Sequence, residues 1–132
     1  MIMSSLKILK IYLAIEFKFY ESKRTLFDYS GIEKEIIKLR HKKVNLHCGG
    51  YIVIDKTEAM YVIDVNSGKN VKGRDFNKTI MQTNLEAAKE VGRQIRLRNL
   101  SGIIVVDFID MRDESQKVHV IKALKKSLEA DK

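Results

Sequence analysis

The sequence predicts an α/β fold: a mixed sheet built from a hairpin followed by a right-handed β-α-β crossover. Three observations carry this. Tyr51–Asp55 and Ala59–Val65 are apolar runs separated only by Lys56-Thr57-Glu58, the spacing of a hairpin with a short loop. A long stretch of helical periodicity follows, from about Lys78 to Asn99. Then comes Ile103–Phe108, apolar on both faces as an interior parallel strand is. A helix between parallel strands crosses over with a right hand.

The elements follow in order. Ile11, Leu13, Ile15, Phe17 and Phe19 alternate with more polar neighbours, which is period two and predicts a strand. Ser30 with Glu33 predicts a capping box, opening a short helix whose stripe is Ile32, Ile36 and Leu39 and which runs to about Lys42. Cys48 precedes a turn at Gly49-Gly50, and the hairpin follows. Asn66-Ser67-Gly68-Lys69 ends its second strand in turn chemistry, and Lys69–Asn77 reads as an exposed connection. In the long helix, Met81, Leu85, Ala88, Val91, Gly92 and Ile95 form the buried face. Gly92 costs about 1 kcal/mol against alanine there, so a close approach to the sheet is expected. Asn99-Leu100-Ser101-Gly102 stops this helix. Asp113 and Gln116 cap a last helix with the stripe Val118, Ile121, Leu124 and Leu128.

With 132 residues, no proline and no linker, the chain is long enough for one small core. Its formal charge of +8 favours nucleic acid or an anionic membrane as partner. No stretch approaches the roughly 20 apolar residues of a membrane span. The early apolar run at Ile11–Ile15 is interrupted by Glu16 and Lys18, unlike a secretory leader. A single cysteine excludes an intrachain disulfide and fits a reducing, cytoplasmic home. His41, His47 and His119 show no zinc spacing, and no zinc is expected.

Two strands each carry an aspartate that a buried strand should not contain. A lone buried carboxylate costs several kcal/mol unless it is paired, neutralised or bound to a cation. Alternation puts Asp64 and Asn66 on one side, at the carboxyl end of their strand. The crossover brings the carboxyl end of the next strand, with Asp107, to the same edge, where open α/β sheets bind ligands. Two such carboxylates repel unless a cation lies between them. Mg²⁺ suits them, since it takes one or two carboxylates plus waters and phosphate oxygens, and Mn²⁺ is a possible substitute. Such an ion polarises a phosphodiester oxygen and activates a water as nucleophile. Asn66 would orient a carboxylate. The competing reading of each aspartate is a turn or cap residue, which is how Asp55, Asp110 and Asp113 are read. The basic residues Lys89, Arg93, Arg96 and Arg98 on the long helix, with Arg74 and Arg112, are candidates for contacting the phosphates of a nucleic acid. Their competing reading is a solvated helix face balanced by Glu86 and Glu90.

The wording of these segments resembles the bacterial ribonuclease E/G family. The resemblance lies in Gly49–Ala59, Ile63–Gly68, Thr83–Glu90, Arg93–Leu100 and Asp107–Met111, and extends from about Leu26 to Ala130. It implies an endoribonuclease cutting single-stranded RNA, of the kind that processes rRNA and degrades mRNA, with Mg²⁺ held by Asp64 and Asp107 and the site positioned by Asn66. It also implies that residues 40–132 are the DNase I-like catalytic subdomain and residues 1–39 the tail of an RNase H-like subdomain. Family members carry an oligonucleotide-binding domain upstream and a paired-cysteine zinc link downstream. This chain is therefore expected to be a fragment. The strand at Ile11–Phe19, without its original sheet partners, is expected to make it self-associate. The alternative is an inactive module that holds RNA by charge alone. A third possibility is a scaffold whose aspartates only end strands.

Overall fold

The computed structural model describes residues 19–68 and 76–129. The chain divides into two compact units, Met1–Ile37 and Lys38–Lys132. The strand expected at Ile11–Phe19 lies outside the described residues except for Phe19, which is exposed and not in a strand.

In the first unit, helix α1 (Leu26–Tyr29) is capped by Thr25, whose side chain accepts from the Asp28 N–H. Helix α2 (Ile32–Lys38) follows and ends at the unit boundary. The expected capping box does not form. Ser30 closes α1 instead, its Oγ donating to the carbonyls of Leu26 (2.7 Å) and Phe27 (3.2 Å). Gly31, at φ +74°, then separates the two helices, which is why one helix became two. Ile32 and Ile36 are exposed, and α2 stops at Lys38 rather than near Lys42.

The second unit contains strands β1 (Lys43–Asn45), β2 (Tyr51–Lys56) and β3 (Met60–Asn66), helix α3 (Phe76–Arg98), strand β4 (Ile103–Asp107) and helix α4 (Glu114–Leu128). The four strands form one sheet in the order β1-β2-β3-β4. The first three are antiparallel, and β3 and β4 are parallel, joined across α3. The fold is therefore α/β with a mixed sheet, a hairpin and a β-α-β crossover. The hairpin loop closes through Thr57, whose N–H and hydroxyl both donate to the Met60 carbonyl (2.8 and 2.9 Å). The long helix ends in a Schellman motif: Leu100 N–H donates to Ile95 O, Asn99 N–H to Arg96 O, and Asn99 sits at φ +51°.

Alternation assigns the two faces of the sheet. Ile52, Ile54, Ile63 and Val65 point to one side and pack with Ala87, Val91 and Ile95 of α3, with Ile104, Val106, Leu124 and Leu128 against this cluster. Both helices serve this face. The other face carries Tyr51, Val53, Met60, Val62, Asp64, Asn66, Ile103, Val105 and Asp107 and is open among the described residues. Strand β4 is consequently not an interior strand covered on both sides. It lies at the sheet edge, with Ile103 61% and Val105 44% exposed, because no second helix layer faces it among the described residues.

Two further expectations change. Gly92 does approach a neighbour closely, but the neighbour is α4 rather than the sheet: an added Cβ would lie 2.8 Å from the Ser127 Cβ. Ser127 in turn donates to Ala88 O (2.9 Å), pinning the helix pair. The buried line of α4 runs through Val120 and continues to Leu124 and Leu128, whereas Val118 and Ile121 are exposed. Asp113 caps α4 as expected, accepting from Ser115 N–H at 2.8 Å.

Candidate metal centre

Because β3 and β4 are parallel, their carboxyl ends share one lip of the sheet. Asp64 and Asp107 are direct register partners there. Neighbouring strands lie about 4.8 Å apart, so the two side chains start one strand spacing from each other on the same face. Both are exposed. Asn66, two residues beyond Asp64 and thus on its side, donates from Nδ2 to Asp64 Oδ2 at 2.6 Å. Among the described residues, neither aspartate has a basic side chain as ion-pair partner. Two carboxylates this close repel, and the strand spacing leaves room for an ion between them. Two oxygen donors and open solvent above them match what Mg²⁺ takes from a protein. Among the described residues no group of three or more His, Cys, Asp or Glu side chains is placed to hold a metal ion, so the protein's share at the lip is these two carboxylates.

The lip is held by residues that the sequence patterns did not mark as functional. Asn84 of α3 is fully buried, and its side chain brackets Ile109, two residues past Asp107. Its Nδ2 donates to Ile109 O (2.8 Å), and its Oδ1 accepts from Ile109 N–H (3.1 Å). This pair leaves the segment after β4 little freedom to shift. The available signal was a polar residue in a buried helical stripe beside Ala87 and Ala88, where an unsatisfied amide is costly.

The turn before β2 anchors the Asn66 side. Cys48 N–H donates to Glu86 Oε2 (3.0 Å) and its thiol lies 3.7 Å from Thr83 Oγ1. Burial pushes the Glu86 carboxyl up, but the hydrogen bonds from Cys48 and Gln82 and the charge of His47 outweigh it and hold it below its usual range. Gly50 then passes so close to β3 that an added Cβ would sit 2.6 Å from Asn66 O. Gly68, at φ +73°, presses on the Gly49 carbonyl with no space for a side chain. The two glycine turns thus lock together around Asn66 and fix the end of the strand carrying Asp64.

The basic candidates are spread out. Arg112 lies exposed in the segment between β4 and α4, on the chain that leaves Asp107. Arg74 lies outside the described residues. Lys89, Arg93, Arg96 and Arg98 belong to α3, on the helix side of the sheet, opposite the face of Asp64 and Asp107. Arg93 pairs with Glu90 (3.3 Å), and Arg96 donates to Ser127 O (2.6 Å). Arg98 is half-buried, donating to Gln94 Oε1 (2.7 Å) and His41 O (2.8 Å). Burial lowers its pKa from the ordinary value, with Glu90 acting in the other direction.

No helix among the described residues is long and apolar enough to cross a membrane. The sequence matches the model of the ribonuclease E/G family over residues 2–132. It is 43% identical to ribonuclease G of Escherichia coli K12 over 113 residues, covering 86% of this chain and 23% of that protein. It is 42% identical to ribonuclease E of Nostoc sp. PCC 7120 over 113 residues, covering 86% and 16%. A chloroplastic ribonuclease E/G-like protein of Arabidopsis thaliana is 49% identical over 109 residues, covering 81% and 11%. The chain thus spans less than a quarter of the length of each of these relatives. With a family match across almost its whole length, the chain belongs to the ribonuclease E/G family.

Proposed function

We propose that this chain carries the catalytic centre of an Mg²⁺-dependent endoribonuclease that hydrolyses phosphodiester bonds in single-stranded RNA. The reading is carried by the register pairing of Asp64 with Asp107 on an open face, in a member of the ribonuclease E/G family. A divalent ion bound there would polarise a phosphodiester and supply an activated water. The chain's own residues define where this happens. Asp64 and Asp107 provide the two ligating carboxylates. Asn66 donates to Asp64 Oδ2 and so holds the orientation in which the Asp64 carboxylate would meet the ion. Asn84 is a positioning residue, acting through Ile109 on the chain that carries Asp107.

In this reading Arg112, on the segment that leaves Asp107, contacts a phosphate near the lip, and Arg74, outside the described residues, stays a candidate by sequence alone. Lys89, Arg93, Arg96 and Arg98, on the other side of the sheet, act on RNA only through the field of a strongly basic protein. Residues 40–132 constitute the catalytic subdomain and residues 1–39 the tail of a preceding one. The setting is cytoplasmic RNA processing and decay.

The test is cleavage of a labelled single-stranded oligoribonucleotide, with Mg²⁺ or Mn²⁺ as the only divalent ion. Asp64→Asn and Asp107→Asn should each lower the rate by about a hundredfold or more, since a bound metal is worth several kcal/mol to such a transition state. A second reading, an RNA-binding module without chemistry, is favoured by the formal charge of +8, which holds RNA without needing a metal. Binding that withstands Asp64→Asn, with no cleavage under any divalent ion, selects it.

A further inference from the structure

The open face of the sheet holds a second group of side chains, beside the metal lip, that neither the family match nor the catalytic reading uses. The register makes two rows across the strands. Asn45, Tyr51 and Asn66 are successive partners in one; Lys43, Val53, Asp64 and Asp107 are successive partners in the next. All seven point to the same side. Tyr51 therefore stands one strand from Asn66 and diagonal to Asp64. It is half-exposed, and Lys43 and Asn45 beside it are exposed. The Lys43 ammonium lies 3.8 Å from the centre of the Tyr51 ring. Among the described residues Lys43 has no carboxylate partner, whereas neighbouring Lys42 is tied to Asp55 at 2.5 Å.

We propose that Tyr51, Lys43 and Asn45 form a nucleotide subsite that holds one residue of a single-stranded RNA next to the cleaved bond. The choice of RNA as occupant rests on the endoribonuclease reading above. An aromatic ring bearing a nearby lysine on a flat, open sheet face has the two elements that bind single strands: a stacking surface for any base and a cation for the phosphate. The exchange on binding is favourable in direction. An exposed lysine–ring contact is weak, so Lys43 can leave the ring for a phosphate while a base takes its place in a stronger stacking contact. Asn45 offers amide donor and acceptor groups to the base edge or ribose. Charge complementarity supports the same occupant, since the chain carries a formal +8 and Lys43, without a carboxylate partner among the described residues, is the cation in the row of Asp64 and Asp107. The subsite would hold the strand in place beside the metal, and stacking makes it tolerant of which base it takes.

The experiment measures affinity for a fluorescein-labelled oligouridylate in EDTA, so it reads binding whether or not the chain cleaves. Tyr51→Val, which keeps strand propensity, should weaken binding about tenfold, and Tyr51→Phe should stay within about twofold. On an abasic ribose-phosphate oligomer of equal length the Tyr51→Val effect should vanish. Lys43→Ala should lower the salt dependence by about one phosphate contact. This change at an exposed residue decides the matter should Tyr51→Val fold poorly. Equal affinity of Tyr51→Val and the parent overturns the proposal, as does equal loss on the abasic oligomer or an unchanged salt slope in Lys43→Ala. A dimer that Tyr51→Val abolishes, without an effect on RNA, assigns the face to a second copy and also overturns it. Failure of the nuclease reading shows itself separately, as absent metal-dependent cleavage in the parent.

Discussion

Replacing Asn84 by alanine removes the side chain that joins α3 to the segment leaving β4. Both of its bonds go to one residue, Ile109, so the change leaves that residue's N–H and C=O without partners. Each unpaired group costs about 1–3 kcal/mol, and partial access to water puts the pair at about 2–4 kcal/mol. For a folded unit of this size that corresponds to a fall in melting temperature of about 10–25 °C. Urea unfolding followed by far-ultraviolet circular dichroism measures the loss directly, as a lower midpoint at unchanged slope. Asn84→Asp separates the two bonds. It keeps an acceptor for Ile109 N–H but sets a carboxylate oxygen against the Ile109 carbonyl in a fully buried place. It should therefore be at least as destabilising as alanine. A loss below about 0.5 kcal/mol for Asn84→Ala would refute the idea that this amide holds the lip, because even one orphaned main-chain group costs more.

Other expectations follow from the glycine turns, the Glu86 carboxyl and the edge strand. Gly68→Ala should cost well over the about 1–2 kcal/mol of a left-handed backbone, because its Cβ would meet the Gly49 carbonyl. Gly31→Ala, at a similar φ but with open space around it, should cost only that backbone term; equal losses by chemical denaturation would remove the close contact from the account. The lowered pKa of Glu86 contributes stability that is present above its unfolded value, about pH 4.3, and is lost as pH falls through the lower folded value. Glu86→Gln should flatten this acid limb; a parent-like acid profile in that variant would contradict the assignment. The chain should self-associate in light scattering as concentration rises, through the exposed Ile103 and Val105 of edge strand β4, and a strictly monomeric species would count against this.

Much of the second unit was legible because its signals are local. The hairpin was visible in two alternating runs around a short loop, the crossover helix in its long period, and the α4 start in Asp113. The meeting of Asp64 with Asp107 was legible only through topology, since no spacing motif links them. What escaped the reading depends on contacts distant in sequence. Strand β1 has a single inward residue, Val44, and exists by pairing with β2. The Ser30–Glu33 spacing suggested a cap, but Gly31's positive φ gave Ser30 to the preceding helix. On α4, Leu124 and Leu128 lie on the buried line as their spacing predicts, but Val118 and Ile121 have the same apolar character as Val120, and only the position of α3 selects among them. Ile103 and Val105 were read as buried by composition, yet burial requires a covering layer, and both described helices of this unit cover the other face. Asn84 has an ordinary polar identity whose importance appears only when Ile109 is brought beside it.

The central assertion is that two acidic side chains, joined by strand register, grip one divalent ion. A crystal of this chain soaked in Mn²⁺ tests it most directly, through the anomalous signal of the metal. The account predicts a single strong peak between the carboxylates of Asp64 and Asp107, beside the Asn66 amide, and its disappearance in Asp64→Asn. Manganese bound only elsewhere, or a peak at the lip that persists in Asp64→Asn, would contradict it.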